Sequence, residues 1–188
     1  MTVKAVRLVK EADLIITPKT EKKEGSVAWN IAAPYIPETA EVLPMVFPMV
    51  TDPSVLKAQW KENAALIAEK LDEGKNVVFL TLGDPMLYST YMYIFHAFEG
   101  SGYDIETIPG IPAFLAIASY LNMPVAEWEE TAVILPATAD PEKIDKVLSV
   151  ADHAVIMKVY KSWPFIQKML EKHDDPFFCD DFPGRSAR

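Results

Sequence analysis

The chain has 188 residues, 50% of them apolar and 24% charged, which is the profile of a folded globular protein with room for one large core or two small ones. Eighteen basic against 27 acidic side chains leave a net charge of −9, a field that repels nucleic-acid phosphates and anionic membrane surfaces and so argues against both as partners. The single cysteine, Cys179, excludes an intramolecular disulfide and suits a reducing compartment.

Charges at Lys4, Arg7, Lys10, Glu11 and Asp13 interrupt the apolar residues of the N-terminus, so no signal-peptide core is expected. No run approaches the roughly 18 apolar residues of a membrane span, and the expected location is the cytoplasm. A helix begins almost at Met1, carried by Val3, Val6, Leu8 and Val9, and a short strand follows from Asp13 to Thr17. Ser26 caps a helix to about Ala33. A proline-rich passage then carries extended apolar pieces such as Val42 to Val50. Asp52-Pro53 opens a long helix to about Asp72, with Leu56, Trp60, Ala64, Ile67 and Leu71 on one face and Gly74 placed to end it.

Val77 to Leu82 is a β-prone run without polar alternation, the pattern of a central strand covered on both faces of a parallel sheet. It ends in Gly83-Asp84-Pro85, where Asp84 is expected to cap a helix from Pro85 to about Phe98. A shorter strand, Tyr103 to Ile108, leads to Pro109-Gly110-Ile111-Pro112 and a helix from Ala113 to Leu121. A strand from Thr131 to Leu135, a helix opened by Asp140-Pro141, a strand from Ala154 to Val159 and a helix from Pro164 to Lys172 continue the alternation. The class is α/β throughout, with an N-terminal lobe over residues 1–108 and a C-terminal lobe over 113–188. Pro183 to Arg188 reads as a loose tail.

In such sheets ligands bind beyond the carboxyl ends of the strands, and two turns qualify. At the first, Gly83 lets a ligand approach the main chain, Asp84 offers a carboxylate, and Tyr88, Ser89 and Thr90 add hydroxyls. Asp-Pro also starts the helices at Asp52 and Asp140, so a plain capping role for Asp84 stays open. The second turn, Pro109 to Ala113, presents backbone groups to an adenine or ribose, or serves simply as an inter-domain connection. His96, His153 and His173 are far apart in sequence and none pairs with Cys179 at a ligand spacing, so no metal is expected. There is no G-x-S-x-G elbow and no phosphate-binding P-loop. Arg7, Lys19, Lys158 and Lys161 are the cations to watch as partners of substrate carboxylates.

The run Leu80 to Thr90, with Gly25-Ser26-Val27-Ala28, Val46-Phe47-Pro48-Met49 and Pro109-Gly110-Ile111, resembles the tetrapyrrole methylases, and within them the branch that methylates C20 of precorrin-2. The resemblance implies two α/β lobes with S-adenosyl-L-methionine folded into a cleft between them, a homodimer, and methyl transfer to C20 of precorrin-2 or its cobalt-containing counterpart in cobalamin biosynthesis. On the family pattern Leu82, Gly83, Asp84 and Leu87 line the cofactor. Pro112 and Ala113 match the small polar pair after Pro-Gly-Ile, with Pro112 replacing the usual hydroxyl, and Met157 matches the methionine ending a later strand. Asp84 and Tyr88 are the candidates for assisting the chemistry. The family opens with a strand and a glycine-rich loop ahead of the first helix here and carries further C-terminal strands, so the chain reads as truncated at both ends. Two alternatives follow: a methyltransferase of the same fold with another substrate, and a non-catalytic fragment that keeps only dimerisation.

Overall fold

The computed structural model describes residues 1–19, 26–47 and 53–173. Gly25, Pro48, Met49, Val50, the Asp52 cap, Cys179 and the C-terminal tail lie outside them. The chain divides into two compact units, Met1–Ala113 and Phe114–Arg188.

Unit 1 starts with α1 (Val3–Lys10), capped by the Thr2 hydroxyl, which accepts from Ala5 N at 3.3 Å. It leads into β1 (Leu14–Lys19), then α2 (Val27–Ala32) behind the Ser26 cap, β2 (Glu41–Val46), α3 (Pro53–Asp72), β3 (Val77–Phe79) and α4 (Tyr91–Phe98). The three strands form a parallel sheet in the order β2-β1-β3. Successive residues of β1 point to opposite faces of the sheet and so belong to different cores. Leu14 and Ile16 pack with Met45, Phe47, Ile67, Ile94 and Phe98, beneath α3 and α4. Ile15 packs with Val9, Ala12, Ala32 and Leu80, beneath α1 and α2. Leu14, Ile15 and Ile16 are all fully buried, so the first half of β1 is covered on both faces. The face of α3 read from its spacing is the buried one, and Asn63 on the same helix donates to Val46 O at 2.9 Å, fixing the end of β2. Gly74, at φ +81°, follows the helix and donates its N–H to Leu71 O.

Three expectations are corrected here. The middle strand is β1; Val77–Phe79 lies at the sheet edge, because β1 is the one strand it pairs with among the described residues. The segment from Tyr103 to Ile108 forms no strand, since its backbone has no partner strand beside it. The helix expected from Pro85 begins only at Tyr91, for the Asp84 carboxylate is engaged elsewhere and Tyr88 adopts φ +49°, outside the helical region.

Unit 2 contains α5 (Ala113–Leu121, which begins at the unit boundary), β4 (Ala132–Pro136), α6 (Pro141–Leu148), β5 (His153–Met157) and α7 (Trp163–His173). Its two described strands are parallel, and Leu135, Ala137, Ile144, Leu148 and Ile166 form a core cluster. Asp140 caps α6 by accepting from Glu142 N and Lys143 N, with Pro141 in the first turn. The Asp145 carboxylate on α6 accepts from Lys172 Nζ and His173 Nε2 on α7, both at 2.7 Å. The hydrogen bond from Lys172, then that from His173, hold the acid below its ordinary value of 3.8. A depressed carboxyl contributes stability above its unfolded pKa and loses it as pH falls through the folded one. Unit 2 is therefore expected to lose stability below about pH 4, and Asp145→Asn to flatten that part of the profile, read as thermal midpoint against pH.

Candidate active site

β3 ends at Phe79, and the chain passes through Leu80 and Thr81 into the first turn beyond the carboxyl end of the sheet. Gly83 takes φ +78°, a conformation that strains any residue with a side chain. Asp84 then does two things at once. Its Oδ1 accepts from Met86 N at 2.9 Å, a side-chain turn of the kind aspartate favours, and its Oδ2 accepts from Gly110 N at 3.0 Å. One carboxylate thus latches the Gly-Asp-Pro turn to the Pro-Gly-Ile turn, 26 positions further along the chain.

The two backbones touch where the latch closes. A Cβ built on Gly110 would lie 1.9 Å from Gly83 O and 2.9 Å from Gly83 C, so no side chain fits there without parting the turns. On the other side, the Cβ position of Gly83 is 3.8 Å from Ile111 O and 3.9 Å from Pro112 Cα, ordinary contact distances. Hydroxyls brace the surroundings: Thr81 Oγ1 meets Ser89 Oγ at 2.8 Å, Ser89 Oγ accepts from Tyr91 N at 3.2 Å, and Tyr91 Oη meets Thr107 Oγ1 at 2.6 Å.

Around the latch the surface is apolar and open to solvent. Leu82 is 60% exposed, Met86 55%, Tyr88 42% and Ile111 63%. Large apolar side chains held outward at loops beyond the carboxyl ends of strands are poor for solubility and good for gripping a flat or aliphatic ligand. Asp84 and the Gly83 carbonyl add negative character, which suits a cationic centre such as a sulfonium.

The expected site residues are distributed as follows. Leu82, Gly83, Asp84, Leu87 and Tyr88 lie on the first turn, with Leu87 N donating to Asp84 O at 3.3 Å, and Pro112 and Ala113 end the second turn at the start of α5. Met157 ends β5 in unit 2, where its carbonyl accepts from Ala137 N at 2.7 Å. Lys19 ends β1, Arg7 is exposed on α1, and Lys158 and Lys161 follow β5; Lys158 takes φ +61°, which ends that strand before the expected Val159. The latch itself escaped sequence reasoning, as did the Tyr91–Thr107 brace. No local pattern announces a hydrogen bond between turns so far apart, although the glycine between Pro109 and Ile111 is the residue such an approach requires.

Comparison with known proteins adds a second line of evidence. The pattern of the tetrapyrrole (corrin/porphyrin) methylases is matched over residues 1–178. A cobalt-precorrin-2 C(20)-methyltransferase of Salmonella typhimurium is 34% identical over 170 residues, covering 90% of this chain and 71% of that protein. A probable cobalt-precorrin-2 C(20)-methyltransferase of Methanocaldococcus jannaschii is 34% identical over 158 residues, 84% of this chain and 66% of that protein. Among solved structures, a cobalt precorrin-4 methyltransferase superposes with a TM-score of 0.68 at 20% identity, over 93% of this chain and 70% of its own. The uroporphyrin-III C-methyltransferase of Thermus thermophilus, solved with S-adenosylhomocysteine, gives 0.61 at 16% identity, over 94% and 71%. At these identities the structural likeness speaks to the fold, which is the α/β fold of those enzymes.

Proposed function

Because the chain belongs to the tetrapyrrole (corrin/porphyrin) methylases, we propose that it is built to methylate C20 of precorrin-2 or cobalt-precorrin-2, with S-adenosyl-L-methionine as donor, in cobalamin biosynthesis. The observation that carries the reading is the 34% identity to the Salmonella C(20) enzyme over 90% of the chain. The C(11)-methyltransferases that also match do so at only 21% and 24%.

The turns suit the donor. Leu82 and Ile111 offer apolar contact for an adenine or an aliphatic chain, and Asp84 supplies charge opposite to a sulfonium. Leu87, Pro112 and Ala113 complete the cofactor contacts proposed within unit 1. When bound, the donor supplies a sulfonium-activated methyl whose bond to sulfur breaks as the bond to C20 forms, sulfur keeping the electron pair. The chain's own part is placement. Asp84 holds Gly110 against Gly83, which keeps both turns in one arrangement, and the exposed apolar side chains around them displace water from the approach to the methyl group. Tyr88 carries the hydroxyl proposed to assist removal of the proton that C20 sheds.

A cytoplasmic homodimer completes the reading. The dimer is supported by α5, nine residues of almost wholly apolar sequence with none buried; Leu115, Ile117 and Tyr120 are 42%, 46% and 73% exposed. No helix among the described residues is long and apolar enough to cross a membrane. The test is titration of S-adenosylhomocysteine into the purified chain by calorimetry, followed by turnover with cobalt-precorrin-2. Saturable binding at one site per chain and a singly methylated product are expected. A folded chain that binds neither compound contradicts the proposal and favours the fragment that keeps only dimerisation.

A further inference from the structure

The stretch that leads into the Pro109-Gly110-Ile111 turn has no secondary structure to fix it. Residues 104–109 make no backbone hydrogen bond among the described residues, so side chains must set where this stretch lies. Tyr103 Oη donates to Asp72 Oδ1 at 2.6 Å, and Glu106 pairs with Lys4 of α1. Both contacts are open to solvent, where such pairs hold a chain weakly. The third contact is different. Tyr91 Oη and Thr107 Oγ1 are 2.6 Å apart, and Tyr91 is only 9% exposed.

Tyr91 is itself held from several sides. Its N–H donates to Ser89 Oγ at 3.2 Å, and Ser89 Oγ lies 2.8 Å from Thr81 Oγ1, two positions before Gly83. The ring packs against Phe79 of β3 and Phe95 of α4, with centroids 6.0 Å from each. The contacts Thr81–Ser89–Tyr91–Thr107 therefore join the carboxyl end of β3 to the second turn by a route separate from the Asp84 carboxylate. Phenylalanine would fill the same apolar surroundings, so packing accounts for the ring and leaves the hydroxyl to be explained.

We infer that Tyr91 is a positioning residue: its hydroxyl holds Thr107, and through it the Pro109-Gly110-Ile111 turn, at the separation from Gly83 that receives the methyl donor. The bond from Gly110 N to Asp84 is a single point of attachment, about which the second turn could pivot. A second attachment three positions earlier, at Thr107, removes the pivot. The phenol suits this task because its ring is already fixed by Phe79 and Phe95, and little freedom is lost in making the bond. The inference rests on the methyl-transfer reading for what the two turns bind.

Tyr91→Phe and Thr107→Val each remove one hydroxyl and leave the other without its partner. Each is expected to weaken binding of S-adenosylhomocysteine roughly 2- to 10-fold, read by calorimetry, and to speed hydrogen exchange of the Gly110 amide by a similar factor. The double variant separates positioning from stability. With both groups apolar no hydroxyl is stranded, so the thermal midpoint and the exchange of Ile16 in β1 should return toward the parent values. Affinity and Gly110 exchange should stay at the level of the single variants, because the tether is still missing. The inference is overturned if Gly110 exchanges in Tyr91→Phe as it does in the parent, if the single variants bind as tightly as a parent that binds, or if the double variant regains affinity along with stability. A parent that binds no S-adenosylhomocysteine would sink the methyl-transfer reading instead, and the Gly110 exchange, which needs no ligand, would still decide whether Tyr91 holds the turn.

Discussion

Gly110→Ala is expected to weaken S-adenosylhomocysteine binding more than any other single methyl group added to the chain. The new Cβ would sit 1.9 Å from Gly83 O, a backbone atom that cannot swing aside as a flexible side chain could. Relief requires separating the two turns, at the roughly 1–3 kcal/mol typical of an overpacked site. If that separation is felt wholly in the liganded arrangement, affinity falls roughly 5- to 150-fold. Calorimetry reads the affinity, and thermal unfolding shows whether unit 1 also loses stability. An affinity equal to that of the parent chain would mean that the closeness of Gly83 and Gly110 plays no part in binding.

Asp84→Ala has the second large effect, through hydrogen bonds rather than sterics. It removes the acceptors of Met86 N and Gly110 N, the latter partly buried. A bond to a charged acceptor is worth about 1.5–3 kcal/mol, and losing it leaves the Gly110 N–H without its partner. Binding is expected to weaken roughly 10- to 100-fold. Asp84→Asn separates a latch from a proton acceptor. The amide keeps one oxygen for one of the two N–H groups, so a positioning role predicts partial recovery of affinity, with kcat following the occupancy of the site. A carboxylate that takes the C20 proton predicts instead parental affinity with kcat collapsed. The geometry favours the first outcome, because both oxygens of Asp84 already accept from the main chain.

Much of this architecture was legible locally. The short strand after α1, the buried stripe of α3, the Ser26 and Asp140 caps and each of the two turns announce themselves within a few residues of sequence. The failures share a cause. Tyr103 to Ile108 has the residues of a strand, but strand formation depends on a partner that the stretch itself does not specify. Val77 to Leu82 looks like a central strand because its side chains are apolar on both faces; which edge is paired is a property of the whole sheet. At Asp84-Pro85 the sequence reads as cap and first turn. The same carboxylate found a donor at Gly110, and Pro85 to Thr90 settled into turns instead. The candidate site was therefore readable as two separate turns and unreadable as one latched unit.

The most direct test of the C20 assignment uses S-adenosyl-L-methionine labelled with carbon-13 in the methyl group, cobalt-precorrin-2 and the purified chain, with the product examined by carbon NMR. One new methyl resonance, assigned to C20 by its couplings, is the expected result. Label at C11 or any other ring position, or a folded chain that binds the donor and leaves the tetrapyrrole unlabelled, would contradict it.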